Sequence, residues 1–587
     1  MQERLPDREK EKTPSFEPKV QAVGLNVILR DEILRQIADF KQNKGIVELA
    51  QYAPDLAERW KAIEPIIRQD IQAGQHKSFL DFAVDLDDFL TEVSQYLEEN
   101  GQRVDSLRDF VDRALLTEEE LAVIFARISR TRLPFEELAK EATTESSRKF
   151  HEKWTVSPEG FGHGSIADHA ILHFRVDNFS SMAIDWITTN RLGGYTEYSA
   201  RYQQVLPGYY YTPEAIALDP RLSVVYREAQ DRMVTTYEEL IAMGVEYLKS
   251  ERAQEIDPSR APDERESQEA YEARLRRIAQ DHFKNLMTAA RLSNVGVTVD
   301  SREAEHMITK FESSGIEEIE RLGQLLKEEG LKSAPTLIKY AGRNEYLVAS
   351  RDAKESISAR IGPTVAPSLG RDLQNKAILR EFDPNAEARF LAAFQYDAPG
   401  QDALWDELFA KARQMTEEEK EQALAEAFAR VGSHDALVRD AEFACDYLFE
   451  FFCDYGLLRE LERHRMNSFK SKPLGIRHGF FISDLAYEMA ENGVTETTQI
   501  FTEAIKRAED AHEAIASRYP EYAPYLVTRS HLRPSLFEMN FRQAFYFSRL
   551  RTGPRAHYTA QRLMGDAYRQ AAEVHPLLWR HLKVVSR

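Results

Sequence analysis

The sequence predicts an α/β (α+β) protein: two tandem copies of one unit, each a central sheet flanked by helices, preceded by an all-helical N-terminal region. Three observations predict it. A β-branched and aromatic row, AILHFRVD at 170–177, leads into an apolar helical segment, SMAIDWITTNRLG. The same strand-then-helix order returns as DYLFEFFCDY and GLLRELERHR at 446–465. Upstream, LRDEILRQIADF (29–40) and FLDFAVDLDDFLTEVSQYL (79–97) space apolar residues by three and four, as helices do.

At 587 residues the chain exceeds one ordinary domain, and 43% hydrophobic content suffices for several cores. Residues 1–18 are polar and proline-punctuated and read as a disordered lead. Residues 19–120 read as a helical packing or oligomerisation region with no catalytic constellation. No apolar run is long enough to cross a bilayer, and the first residues are charged where a signal peptide needs an apolar stretch. A cytoplasmic protein without a membrane partner is expected. The formal charge of −20, with no basic stripe, argues against a nucleic-acid polymer, although a few converging arginines can still hold a small anion. Cys445 and Cys453 sit in a strand-like segment and read as core residues, neither disulfide nor thiolate zinc ligands.

In the first copy (121–344) the strand is expected at 170–177. Ser180 or Ser181 caps the following helix, and Gly193 and Gly194 stop it. The second copy (376–587) repeats this and continues into a loop with Ser468, Ser471, Pro473 and Gly475. In each copy an arginine-bearing segment, around Arg291 or Arg529, precedes a helix opening at Asp300 or Asn540. The stretch 345–375 reads as the linker, and the charged insertion 250–277 as an exposed helical excursion.

The rows GHGSIADHAILHF (162–174) and NRLGGYTEYSARY (190–202) resemble two linked features of the flavin-dependent thymidylate synthase (ThyX) family. One is a His-x-Ser/Thr-x-x-Glu-His segment before a strand; the other is the signature Arg-His-Arg-x-x-Ser-x-Asn-Glu-x-Ser-x-Arg-Tyr. Arg191, Glu197, Ser199, Arg201 and Tyr202 match the signature, whereas Thr189, Asn190, Gly194 and Thr196 depart from it. In the second copy Arg463, His464, Arg465 and Ser468 match its front, while Lys470, Ser471 and Pro473 replace the later Asn, Glu and Ser. The losses are complementary. MNFRQAFYFSRLR (539–551) resembles the family's Asn-x-Arg and Leu-Arg pattern through Asn540, Arg542 and Arg551; DSREAEHMITKF (300–311) keeps Arg302 but has Phe311 at the last arginine. The match is to a long form of the family with two tandem copies, from about residue 120 onward.

The resemblance implies reductive methylation of deoxyuridine monophosphate (dUMP) to dTMP, with FAD as cofactor and methylenetetrahydrofolate and NADPH as co-substrates. The expected partners are therefore a dUMP-like nucleotide, folate and NADPH. The cofactor carries the hydride chemistry, which leaves the protein placement and charge. Arg551 is the candidate catalytic residue, stabilising charge drawn onto the uracil. Arg463, Glu197, Ser199, Arg201 and Arg291 are the candidate substrate-binding residues, with Ser199, Arg201 and Arg291 as a phosphate cradle. The flavin falls to His163, Ser165, Asp168, Arg191, Glu442, Arg463, His464, Arg465, Asn540 and Arg542, of which 463–465 read as a cationic trio. No metal is expected, since His163, Asp168 and His169 have no further ligand at useful spacing. Tyr209, Tyr210 and Tyr211 read as turn and core packing. Family sites are shared between subunits, so one chain is expected to complete one composite site and leave the other dead. A homodimer would then reproduce the family's tetrameric core. Two alternatives stand beside this: a related flavoenzyme acting on another pyrimidine nucleotide, and a degenerate, non-catalytic scaffold.

Overall fold

The computed structural model describes residues 18–22, 118–128, 131, 133, 138, 144–153, 164–198, 207–362 and 373–584. Most of the expected lead and N-terminal helical region lies outside them. Strands β1 (Lys19–Ala22), β2 (Ile171–Ser180), β3 (Gly193–Glu197) and β4 (Leu292–Asp300) form an antiparallel sheet in the order β1-β2-β4-β3. Strands β5 (Lys376–Glu381), β6 (Asp446–Asp454), β7 (Ser468–Ser471) and β8 (Leu532–Asn540) repeat it as β5-β6-β8-β7. Alternation sets which face is covered. Along β4, Val295, Val297 and Val299 are buried and Gly296 and Thr298 exposed; along β8, Phe537 and Met539 are buried and Leu536 and Glu538 exposed.

Helices cover the apolar faces. In the first copy these are α1 (Ser181–Thr188), α3 (Ser301–Glu312) and α4 (Glu317–Ser333), in the second α5 (Tyr455–Leu461), α7 (Phe541–Thr552) and α8 (Tyr558–Val574), whereas α2 (Leu222–Leu248) and α6 (Thr497–Ala516) pack on each other. Phe174, Val176 and Val297 pack with Met307, Phe311 and Leu322, and Phe449, Phe451 and Phe537 with Phe545, Leu563 and Trp579. A third cluster joins the copies: Tyr237, Leu240 and Ile241 of α2 meet Leu485, Phe501 and Ile505. Each such fully buried side chain contributes roughly 1.5–3 kcal/mol, so the copies are held as one body by an apolar seam. Beside it, residues 285–291 run antiparallel to 525–531 about the Thr288–Thr528 pair, with Ala289 N–H donating to Val527 O (2.8 Å) and Arg529 N–H to Met287 O (2.9 Å). This is the mark of a pseudo-two-fold axis.

Ser180 caps α1, and Asp300 and Asn540 cap α3 and α7, as expected. Cys445 and Cys453 are buried free thiols. Several expectations are corrected. Gly193 and Gly194 do not stop α1, which ends at Thr188; they open β3, where a Cβ on Gly193 would collide with Tyr195 and Val299. Ser468 and Ser471 lie on a strand, not a loop, because β8 offers a free edge there. Lys19–Ala22, within the stretch read as helical, is a strand on the edge of β2 and too short to show a period. Glu345–Ile361, within the stretch read as linker, is a helix capped by Asn344 and ended by Gly362 at φ 88°. The helix Gln268–Phe283 overlaps the charged excursion but buries Tyr271, Leu275, Ala279 and Phe283. Among the described residues no helix is long and apolar enough to cross a membrane.

Glu318 ties the start of α1 to the second copy: Ser180 N–H and Oγ–H donate to its carboxyl (2.7 and 2.6 Å), as does Tyr525 Oη–H (2.8 Å). Burial overrides these bonds and raises its pKa to about 7. The folded protein therefore keeps a proton that the unfolded chain, with a pKa of about 4.3, releases, and stability falls as pH rises from about 4 to 7. Glu318→Gln is expected to nearly match the parent in urea unfolding at about pH 4 and to exceed it by roughly 3–4 kcal/mol at about pH 8; a pH-independent difference would contradict this.

Candidate active site

The first copy differs from the second by one inserted residue at the end of its long strand. Pairing of β2 with β4 shifts between Val176 and Phe179, and Asn178 takes φ 60°, whereas β6 pairs with β8 without a break. Asparagine tolerates this left-handed conformation better than most residues. The bulge turns Asn178 toward the start of β4, where its N–H donates to Asn294 Oδ1 (2.9 Å) and its Oδ1 accepts from Tyr209 Oη–H (3.2 Å).

Next to this bulge the two half-signatures meet. Arg459, on α5, donates from Nε to Asp185 of α1 (2.6 Å) and from Nη2 to Glu197 at the end of β3 (2.8 Å). Arg463 pairs with the other oxygen of Glu197, and Ser293 Oγ–H donates to the carboxylate as well (3.2 Å). The Glu197 side chain is enclosed, yet its arginine neighbours hold its pKa down to about 2. Tyr455 Oη–H donates to Asp185. Arg291 and Arg529 complete the cluster, at 9% and 7% exposure. Ser181 links them: its N–H donates to Arg291 O (2.7 Å), and its Oγ accepts from Arg529 Nη2 (3.2 Å). Among the described residues neither arginine's Nε has a partner. Burial and the neighbouring Arg459 and Arg291 lower the Arg529 pKa to about 9. The buried charges are thus three guanidinium groups, of Arg291, Arg459 and Arg529, facing the carboxylates of Asp185 and Glu197.

Residues 463–465 are not on a helix end, because α5 stops at Leu461; they lie in the turn before β7. Nor are they a cationic trio. His464 stacks on Phe547 (3.8 Å between centroids), and burial, with Arg551 alongside, drives its pKa down to about 3, so the ring is neutral. Its Nε2 accepts from Arg551 Nε (2.9 Å), which puts the ring proton on Nδ1. Arg551 also donates to Glu460 O (2.8 Å). Arg465 reaches across to the carbonyl of Gly193, and Arg191 reaches back to Ser468 Oγ (3.2 Å).

Sheet register fixes which residues are counterparts. Gly194, Thr196 and Glu197 face Thr298, Gly296 and Val295; Ser468, Lys470 and Ser471 face Glu538, Leu536 and Ser535, the same places on β8. The alignment read from sequence therefore holds in space. It fails for the upstream arginines. Thr288 pairs with Thr528, and Arg291 and His531 bridge Tyr210 and Phe480 alike, so Arg291 corresponds to His531 and Arg529 to Ala289.

A separate cavity of about 190 Å³ in the second copy is lined by Leu437, Glu442, Met466, Asn540, Arg542 and Tyr546, among others. Arg542 donates to Glu442 (2.7 Å), and Asn540 Oδ1 accepts from Gln543 N–H (2.9 Å). The counterpart pair in the first copy, Arg302 and Asp168 (3.6 Å), is exposed beside Ser165 on the turn Gly164–His169. His163, Ser199 and Arg201 lie outside the described residues.

Sequence reading missed Asp185, Arg459 and Arg529. Arg459 carried a signal, lying one helical turn before Arg463, and Asp185 is the lone acid of an apolar helix. Asn178 carried none beyond its residue type.

A family model described as "Thymidylate synthase complementing protein" matches residues 113–336 and 378–577. A UPF0159 protein of Chlamydia muridarum is 25% identical over 442 residues, spanning 73% of this chain and 80% of its own. A UPF0159 protein of Thermoplasma acidophilum is 26% identical over 449 residues, spanning 73% and 87%. A flavin-dependent thymidylate synthase of Thermococcus onnurineus is 29% identical over 90 residues, spanning 15% and 37%. Among solved structures, ThyX from Helicobacter pylori complexed with FAD and dUMP aligns with 35% of this chain and 100% of its own, at 16% identity and a TM-score of 0.25. With both halves matched by one family model, the chain belongs to the thymidylate synthase complementing protein family, ThyX, in a long form that carries the family unit twice.

Proposed function

We propose that the chain is a cytoplasmic, homodimeric flavin-dependent thymidylate synthase that converts dUMP to dTMP with methylenetetrahydrofolate and NADPH, at one composite site per chain. The observation that carries this reading is the contact of Glu197 in the first copy with Arg459 and Arg463 in the second. It joins two half-signatures that are each incomplete in sequence.

The residues present suit FAD. The cavity beside Met466 and Tyr546 offers an apolar wall with the polar groups of Asn540 and Arg542, and Arg463 and Arg465 stand in the adjoining turn for the phosphates. Bound FAD, once reduced by NADPH, would supply the hydride, chemistry that no side chain offers. The chain's own groups bind and polarise. The arginine cluster binds the nucleotide phosphate. Arg551, fixed by His464 and the Glu460 carbonyl, would lie against the uracil and stabilise negative charge at N3 and the carbonyls, making C5 nucleophilic. A pre-fixed guanidinium needs no reorganisation when that charge develops.

The counterpart site is filled with protein, which supports one site per chain. At the positions of the polar bulge, Ser181 and Ser293, the second copy has Phe452, Tyr455 and Arg533. Phe452 is buried with Phe481 and Leu532, and Tyr455 is wholly buried. Phe311 occupies the place of Arg551 in that site, without its charge.

Titration of the apoprotein with FAD, followed by the flavin absorbance bands, is expected to saturate at one FAD per chain, and dUMP should then perturb those bands. Two FAD per chain would overturn the single-site reading, and no FAD uptake would favour a scaffold. A flavin-loaded protein that fails to rescue a thymidine-requiring bacterium would point to another pyrimidine nucleotide. Arg551→Lys is expected to lower turnover by about 100-fold or more while leaving flavin content unchanged, because an ammonium cannot reproduce the fixed fork; full turnover in the variant would remove Arg551 from its proposed role.

A further inference from the structure

We infer that Arg529 of the second copy is a second phosphate-binding arginine, forming with Arg291 of the first copy a two-guanidinium clamp for one phosphate dianion. The inference rests on the nucleotide reading for the ligand's identity, but the clamp follows from charge and burial. Both side chains are less than a tenth exposed, and among the described residues neither Nε has a partner. Asp185 and Glu197 are already engaged by Arg459 and Arg463, so neither carboxylate is bonded to the pair. With three buried guanidiniums facing two carboxylates, one positive charge is left over at a cost, and an anion relieves it. Ser181 holds the two arginines together, through its N–H to the Arg291 carbonyl and its Oγ to the Arg529 guanidinium. The register shows that they are not equivalent residues of the two copies. Arg529 stands where the first copy has Ala289, and Arg291 where the second has His531, so the counterpart site has neither guanidinium.

A clamp of this kind selects a dianion over a neutral ligand of the same shape. It also couples anion binding to the pairing of the copies, since each contributes one jaw. The probes are dUMP, deoxyuridine and inorganic phosphate, used on the flavin-loaded full chain. Arg529→Gln is expected to weaken dUMP by roughly 30-fold while leaving deoxyuridine binding and flavin content unchanged. Inorganic phosphate should raise the melting temperature of the parent by a few degrees beyond sodium chloride of equal ionic strength, and this shift should vanish in Arg529→Gln and shrink in Arg529→Lys. Should Arg529→Gln fail to fold, the parent's response to phosphate and the lysine variant decide the matter. A parent indifferent to phosphate, or a variant with dUMP affinity within about threefold of the parent, overturns the clamp. A parent that responds to phosphate but binds neither dUMP nor deoxyuridine overturns the thymidylate reading and leaves the clamp in place.

Discussion

The structure depends on one buried arginine shared between two carboxylates. Arg459 is almost wholly enclosed, and removing a guanidinium from water costs several kcal/mol unless its charge and donors are met. Asp185 and Glu197 meet them, and both belong to the other copy. Ser180 and Asp454 cap α1 and α5 alike, so Asp185 and Arg459 stand at the same place in their copies and face each other across the pseudo-two-fold. In a symmetric pair of identical units that place would oppose like with like, arginine to arginine or acid to acid. Duplication within one chain removes the constraint and lets a repulsive pair become an ion pair.

From that pair the asymmetry spreads outward. Glu197, held by Arg459, is fixed where Arg463 can reach it, and the 463–465 turn carries His464, which in turn orients Arg551. The side serving this site stays polar: Asn178 on its bulge, Ser181, Ser293. The opposite side has been rebuilt as core, with Phe452, Tyr455 and Phe481 closing the space. A polar, bulged strand end is poor packing, whereas an aromatic one is good packing. The two copies place one kind of strand end on each side of the axis.

Much of the fold was legible because it is written locally. Caps at Ser180, Asp300 and Asn540 and the valine alternation of β4 are short-range patterns with short-range causes. The misreadings concern segments whose state a distant partner decides. Gly193 and Gly194 look like a helix stop but open β3, where Gly193 is a glycine because β3 packs tightly on Val299, and Ser468–Ser471 has loop composition but a waiting strand edge. Lys19–Ala22 has no pattern beyond four residues. The site was half legible for the same reason. Glu197 and Arg463 are visible within their signature, but Asp185 acquires meaning only from an arginine supplied by the other copy. The neutrality of His464 is likewise a product of burial under Phe547, which an Arg-His-Arg row conceals.

Complementary loss follows from the same geometry. When two identical chains share a site, a change in the signature strikes every site at once, because each chain contributes both halves. With both copies in one chain, the partner half arrives at an effective concentration set by a tether, of order millimolar or more, rather than by dilution. Each copy then need keep only the half that its fixed partner lacks. The first copy has Thr189 and Phe311 where the second has Arg463 and Arg551, and the second has Ser471 where the first has Glu197, so the differences fall on opposite sides of the axis. The Asp185–Arg459 pair makes that division stable, for pairing first copy with first or second with second would bury like charges at the centre of the interface.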